Sequence, residues 1–582
     1  MPDCPFNPAA ENIADLIYRF GSLQSERWNN TSSLCADYVS SDYIILHMPL
    51  TPDAVSMRVH PYYMIPSLFS PLDYNAMEAS GILSAFNSPA LNNQGKGVLI
   101  GLVDTGIDYR SPLFQNPDGT TRIAGIWDQS VPIEEDVLPA GVPDYYPMGG
   151  SSYGTEYTRE QINEALASDD PLSLVPTQDT IGHGTFLAGL AAGSSIPQED
   201  FTGAAPEAEL AVVKLKPAKK YLRDFYLIPS DAPAFQENDI MMGIKYLRMM
   251  ADRLKKPLVI LLAMGSNSGS HIGTSPLSQV TQNYSGFFGI ITVIAGGNET
   301  GAAHHFYASI PAGTEYEDVE IRVGKEEAER GFVLELWAAD ADTYTVGFIS
   351  PSGERISRIP IIANNETSIP FLLDATTITV NYQLIEAESG SQLIFMRFQT
   401  PAAGIWTVRV YNTQRFKGTF HMWLPVQGMI SEETVFLRPD PYSTITVPGN
   451  SRLPITVGAY DTSTGGIYIH SSRGFTPNQI VKPELAAPGV NILGPSVGRK
   501  PGSDTPMTTR TGTSAAAAIT AGAAANLLGW GIVEGNYPTM SEASVKIYLI
   551  RGAQRNPALT YPNREFGYGT LDLFQTFLRL RE

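Results

Sequence analysis

The apolar positions of this chain change their rhythm twice. From residue 97 they come in short unbroken runs: "GVLIGLV" (97–103), "ELAVVKL" (209–215), "LVILLAMG" (258–265) and "GIITVIAGGN" (289–298). A strand buried on both faces has no polar side to show, so such runs predict parallel strands inside a sheet. Between two of them, Ile240, Ile244, Leu247, Ala251 and Leu254 recur at steps of three and four, which predicts an amphipathic helix ending before Pro257. Strands that alternate with helices make an α/β sheet with helical crossovers on both faces.

Near residue 310 the helical period disappears. "FVLELWAA" (332–339), "TYTVGFIS" (343–350), "TITVNYQLI" (377–385), "QLIFMRF" (392–398), "GIWTVRVYN" (404–412) and "GTFHMWLP" (418–425) read as successive strands with turn residues between them. That pattern predicts a β-sandwich or jelly-roll module inserted in the α/β chain. The first rhythm returns at "LPITVGAYD" (453–461). The expected organisation is an N-terminal segment over 1–65, an α/β unit over 66–309 and 441–582, and an insert over 310–440. In the N-terminal segment, Ile13, Leu16, Ile17 and Phe20 ahead of Gly21 predict a short amphipathic helix rather than a signal peptide, and "SDYIILHMPL" (41–50) predicts a strand.

A chain of 582 residues exceeds one compact core, which agrees with several units. Acidic residues outnumber basic ones 59 to 39, and the net charge of -20 argues against nucleic acid or a membrane surface as partner. Cys4 and Cys35 are too few and too separated for a disulfide framework or a CxxC metal site. "TRTGTSAAAAITAGAAANLLGWG" (509–531) has the length of a membrane span, but Ala, Gly and Thr dominate it, so a packed interior helix is expected.

Three glycine-bearing motifs carry candidate chemistry. In "LVDTGID", Asp104 leaves the end of a buried strand; in "IGHGTFLAG", His183 stands between glycines where a helix begins; in "TGTSAAAAITAG", Ser514 opens the Ala-rich helix. Alone, the Asp reads as a turn residue and the Ser as a helix cap. Together they run Asp, His, Ser, a chain order found in one class of nucleophilic hydrolase.

The chain resembles the subtilisin-like serine peptidases, or subtilases, through "DTGID", "GHGTFLAG" and "GTSAAAAITAG", with "VIAGGNETG" similar to the segment that supplies the oxyanion-hole amide. The resemblance implies a catalytic triad of Asp104, His183 and Ser514, with Asn298 as oxyanion donor and no required cofactor. It implies that Ala263, Met264 and Gly265, with Gly296 and Gly297, line a cleft in which an extended peptide substrate pairs as an added strand. Calcium commonly stabilises such proteins, but no trusted oxygen-ligand loop stands out in this sequence. The chain departs from the family at Phe186, Ala515, Ala518 and Ile519, none of which relays a proton.

Within the family, "LVILLAMGSNSGSHIGTSPL" and the β-rich insert are similar to the clostridial Csp-type germination peptidases. That likeness implies a prodomain, self-processing near "MIPSLFSPLDYNAMEASGIL" (64–83) and the chain's own prodomain as a partner. Synthesis in the cytoplasm is then compatible with spore association or unconventional release. Other signals are weaker: "GSSYG" (150–154) fits a hydrolase elbow at Ser152 but follows a loop, and His304 and His305 read as solvated loop histidines rather than metal ligands. His271 is expected to position a loop near the cleft, and Glu299 reads either as a specificity-pocket residue or as a solvated charge at its rim.

Overall fold

A computed structural model describes residues 6–19, 35–40, 42–51, 56–71, 79–88, 91, 93–132, 152–196, 201–339, 341–362, 366–498 and 506–580. The chain opens with β1 (Ile13–Arg19), β2 (Ala36–Tyr38) and β3 (Tyr43–Pro49), an antiparallel sheet in the order β1-β3-β2, followed by β4 (Leu68–Pro71). The predicted helix over 13–20 is therefore wrong within the described residues. Residues Ile13 to Ile17, Asp15 included, are buried without a break, so helical spacing was only one reading of the apolar positions. Tertiary contacts choose the strand: Tyr221 Oη accepts from Asp15 N at 2.8 Å, and Lys219 Nζ donates to the Ile13 carbonyl at 3.0 Å.

The α/β unit then runs through β5 (Leu99–Asp104), β6 (Ile123–Asp128), β7 (Thr155–Thr158), β8 (Glu209–Lys214), β9 (Phe235–Gln236), β10 (Leu258–Leu262), β11 (Met264–Gly265) and β12 (Ile290–Ala295). It resumes after the insert as β24 (Ile455–Tyr460) and β25 (Leu485–Pro488). Eight of these make one sheet in the order β25-β24-β12-β10-β5-β8-β6-β7, parallel except for the β6–β7 edge pair. Helices α1 (His183–Ala192) and α3 (Thr513–Leu528) join the core on one face, and α2 (Glu237–Leu254) that on the other. The apolar runs are what this burial on two sides requires.

Small side chains let α1 and α3 approach closely: a Cβ on Gly522 would stand 2.8 Å from the Ala191 carbonyl oxygen and 2.4 Å from Ala204 Cβ. The Ala-rich segment is thus a core helix. The span Thr513–Val533 is long and apolar enough to cross a membrane, yet 83% of its most apolar window is buried inside the protein.

The insert comprises β13 (His305–Ser309), β14 (Tyr316–Val323), β15 (Phe332–Ala338), β16 (Thr343–Ile349), β17 (Arg355–Ile356), β18 (Glu366–Phe371), β19 (Thr376–Gln383), β20 (Leu393–Gln399), β21 (Gly404–Gln414), β22 (Thr419–Trp423) and β23 (Val435–Phe436). They form sheets ordered β13-β22-β15-β20-β19-β18 and β17-β16-β21-β14-β23, with one apolar core between them. Because β13 pairs with β22, the insert's sheet begins ahead of the predicted boundary at 310. Alternation sorts the faces: Leu334, Leu336, Met396 and Met422 point into the insert's core, while Val333, Trp337, Phe395 and Trp423 join Tyr62, Tyr221 and Phe225 in a second cluster. The outward face of the six-stranded sheet is therefore an interface.

Candidate active site

Neighbouring strands β12, β10 and β5 are parallel and in register, Leu261 opposite Leu102 and Leu262 opposite Ile294. Their C-terminal ends consequently emerge side by side, where open α/β sheets present functional groups. Asp104 ends β5, Ala263 follows β10, and Gly296 to Asn298 follow β12. One sheet edge thus collects two of the four motif segments, with Ala263 between them.

His183 is the first residue of α1 and its Nδ1 lies 2.7 Å from Asp104 Oδ1, with both side chains buried. The glycines flanking it are steric requirements: Gly182 has φ 79°, and a Cβ on Gly184 would stand 2.1 Å from the Gly106 carbonyl oxygen. A residue that pattern reading missed secures this turn. Buried Asp179 accepts from Gly182 N (2.7 Å) and Thr105 Oγ1 (2.8 Å) with one oxygen, and from Thr185 N (2.9 Å) and Oγ1 (2.8 Å) with the other. Its only advertisement was an acid just ahead of the glycine turn, which many loops carry.

Ser514 is the second residue of α3 and fully buried, and its Oγ lies 3.4 Å from the Ala263 carbonyl. Its main-chain N–H belongs to the first helical turn, whose donors have no partner within the helix. Asn298 Oδ1 accepts from Thr513 N at 3.1 Å, and Thr513 Oγ1 accepts from Gly297 N at 3.1 Å. With its oxygen engaged, the Asn298 amide has its NH2 as the remaining donor, next to the start of the serine helix.

The expected cleft residues differ in how free their backbone is. Met264 and Gly265 form β11, which pairs antiparallel with β4, Met264 opposite Pro71 and Gly265 opposite Ser70. On its other edge β4 pairs with β9, Leu68 opposite Gln236 and Phe69 opposite Phe235. The segment that follows the N-terminal sheet therefore lies as the middle strand between β11 and β9. Gly297 reaches Thr513, as above, but Gly296 is engaged inward, its N–H donating to Val457 O (2.9 Å) and its carbonyl accepting from Thr446 N (3.0 Å). Of the segment "MIPSLFSPLDYNAMEASGIL", residues 72–78 lie outside the described residues.

Several side readings change. Glu299 is buried rather than solvated: Asn267 Nδ2 and Gln427 N donate to it at 3.0 and 3.2 Å, and His304 Nδ1 lies 3.0 Å from Oε2. Gln427 of the insert also donates to the Asn298 carbonyl at 2.5 Å, so the insert grips the main chain at Asn298 directly. His304 and His305 are buried, not loop residues in solvent. His271 is buried as well, its ring nitrogens 2.9 Å from Ile445 O and 3.0 Å from Asn267 O and its ring stacked on Trp423 at 4.1 Å. Ser152 donates to Asp37 at 3.0 Å; the first residues of the predicted elbow lie outside the described residues. Cys35 is part of a disulfide. Among the described residues no group of three or more His, Cys, Asp or Glu side chains is placed to hold a metal ion.

The sequence profile of the subtilase family matches residues 95–349 and 438–569. Subtilisin-like protease SBT3.12 of Arabidopsis thaliana is 24% identical over 485 residues, covering 81% of this chain and 59% of its own length. Subtilisin-like protease SBT3.5 of the same plant is 24% identical over 274 residues, covering 45% of this chain and 32% of its own. The chain thus spans little more than half the length of these curated relatives at most. The solved structure of the Clostridium perfringens CspB protease is 30% identical with a TM-score of 0.75, covering 88% of this chain and 98% of that one.

Proposed function

The chain belongs to the subtilase family, and on that premise we propose that it is a serine endopeptidase acting through Asp104, His183 and Ser514. The observation that carries this reading is the buried Asp104–His183 pair at 2.7 Å on the same sheet edge as the Ser514 helix and Asn298. A serine hydroxyl is a weak nucleophile, so His183 takes the Ser514 proton as the oxygen attacks the scissile carbonyl, then returns it to the leaving amine. Asp104 holds the imidazole tautomer and stabilises the imidazolium. The oxyanion accepts from Asn298 Nδ2 and the Ser514 N–H, the latter aided by the positive end of the α3 dipole. Water then releases the acyl group by the same relay in reverse.

The finer reading is a zymogen that cuts its own N-terminal prodomain and carries a jelly-roll insert. It draws support from β4, which pairs with β9 and β11 as a peptide substrate would. The same pairing supports a second reading, a silent binding protein whose N-terminal segment stays in the cleft. Intact mass and N-terminal sequencing of wild type beside Ser514→Ala separate the two. Loss of roughly the first 60–80 residues in the wild type alone supports the peptidase; two full-length chains that also resist a fluorophosphonate support the silent protein.

A further inference from the structure

Two main-chain segments flank Ser514. Ala263 to Gly265 follow β10, Gly296 to Asn298 follow β12, and the two strands run in register with Leu262 opposite Ile294. The crevice beyond the C-terminal ends of such strands is where open α/β sheets take their ligands. Ser514 Oγ lies 3.4 Å from the Ala263 carbonyl on one wall, and Asn298 ends the other. A substrate carbonyl held between Ser514 and the Asn298 amide therefore directs the side chain of its own residue in between the walls. Glycine at 265 and again at 297 would leave that slot wide.

The chain fills it from within. A Cβ on Gly265 would stand 2.7 Å from Thr446 Cβ, and one on Gly297 would stand 2.7 Å from Thr446 Cγ2 and 2.7 Å from Ser472 Oγ. Both glycines thus face one buried side chain, Thr446, which arrives as the chain returns from β23 of the insert. Hydrogen bonds hold it in place. Thr446 N and Oγ1 both donate to the Gly296 carbonyl, at 3.0 and 3.3 Å, while Ser266 N donates to Val447 O at 3.1 Å and Val447 N to Ser266 O at 2.9 Å. Residues 446 and 447 therefore strap one wall to the other, and neither the walls nor Thr446 can move aside without breaking these bonds. The nearest acid offers no free charge to a basic side chain either, because Asn267, His304 and Gln427 already engage the Glu299 carboxylate.

We propose that Thr446 sets the specificity of the site: the residue that supplies the scissile carbonyl is Gly, Ala or Ser, and aromatic, long aliphatic and charged side chains are refused on size. A slot that is already packed rejects a larger group by clash, since accommodating it forces side chains and backbone out of their minima. The inference rests on the peptidase reading and adds a substrate class to it.

The test incubates the purified wild type with a library of proteome-derived peptides and reads the residue before each cut by mass spectrometry, beside the residue before any cut in the chain's own N-terminal part. Gly, Ala or Ser should precede most cuts, and kcat/KM for a peptide with Ala there should exceed that of its Phe counterpart by at least about 100-fold. Thr446→Gly should raise the Phe-to-Ala ratio by at least about tenfold, whereas Thr446→Val, which keeps the bulk, should keep the wild-type order. If Ser514 takes a fluorophosphonate label but cuts follow Phe, Leu, Lys or Arg as readily as Ala, this inference alone is overturned. A Phe-to-Ala ratio unmoved in folded Thr446→Gly overturns it as well. No label and no cut, in the peptides or in the chain itself, overturns the peptidase reading and this inference with it.

Discussion

Two sheets flank the α/β unit; both dock through apolar side chains, and the N-terminal one adds a buried ion network. The inserted sheet presents rings: Trp337 packs edge-on against Tyr62 at 5.6 Å, Phe395 stacks on Phe225 at 5.5 Å and Trp423 on His271 at 4.1 Å. The N-terminal sheet presents buried charge: His47 lies 2.8 Å from Asp15 and 3.2 Å from Asp37, and Lys219 lies 2.8 Å from Asp15. The segment that follows the N-terminal sheet reaches the candidate site through β4 beside β11, and the insert reaches it through Gln427 on Asn298. An apolar seam holds wherever water is excluded, whereas a buried ion network holds only while its protons are in place. Titration should therefore distinguish the two attachments.

The largest effect expected tests whether β4 lies in a working cleft. Ser514→Ala should lower kcat by about 10^6-fold, the scale of a triad knockout in subtilisin, and leave the N-terminal part uncut by intact mass. Asn298→Ala comes next, with a loss of roughly 10^2–10^3-fold in kcat, again on the subtilisin scale, and no change in melting temperature. If Asn298→Ala instead lowers the melting temperature as much as the rate, its contact with Thr513 is structural and the donor role fails.

The third prediction separates the two docked sheets. Burial alone lowers the His47 pKa, but its hydrogen bonds to Asp15 and Asp37 outweigh that and push it up to about 9. The stability it contributes is thus fully present below about pH 6.5 and lost as pH rises through about 9. Hydrogen exchange of β1 and β3 should accelerate over that window, beyond its intrinsic pH dependence, while β15 and β22 stay protected; His47→Gln should remove the contrast. Equal acceleration in both sheets would mean that charge does not set the difference. The smallest effect belongs to the insert: Gln427→Ala removes one hydrogen bond, about 0.5–1.5 kcal/mol, so kcat should fall by up to about tenfold at unchanged KM. A rise in KM alone would place Gln427 at the substrate instead.

Legibility followed burial. The runs around Leu99–Asp104 and Leu258–Leu262 announced parallel strands because burial on two sides leaves one composition, and Asp104, His183, Ser514 and Asn298 were legible because each stands in a glycine-marked segment. The stretch at Ile13–Arg19 misled because its contacts, Tyr221 and Lys219, lie some two hundred residues away. Gln427 carried no local signal, and Glu299 only its place after Asn298, because their partners come from other turns and from the insert.

By itself the sequence determined the α/β pattern, the presence of a β-rich insert and the order of the motif residues, since periodicity and glycine placement are properties of neighbours along the chain. Only the tertiary structure decided that Asp104 and His183 meet, that β4 joins β9 and β11, and that Trp423 stacks on His271 instead of facing water. Those outcomes depend on which sheet face meets which partner, and a period-two pattern is the same whether its outward side meets solvent or another unit.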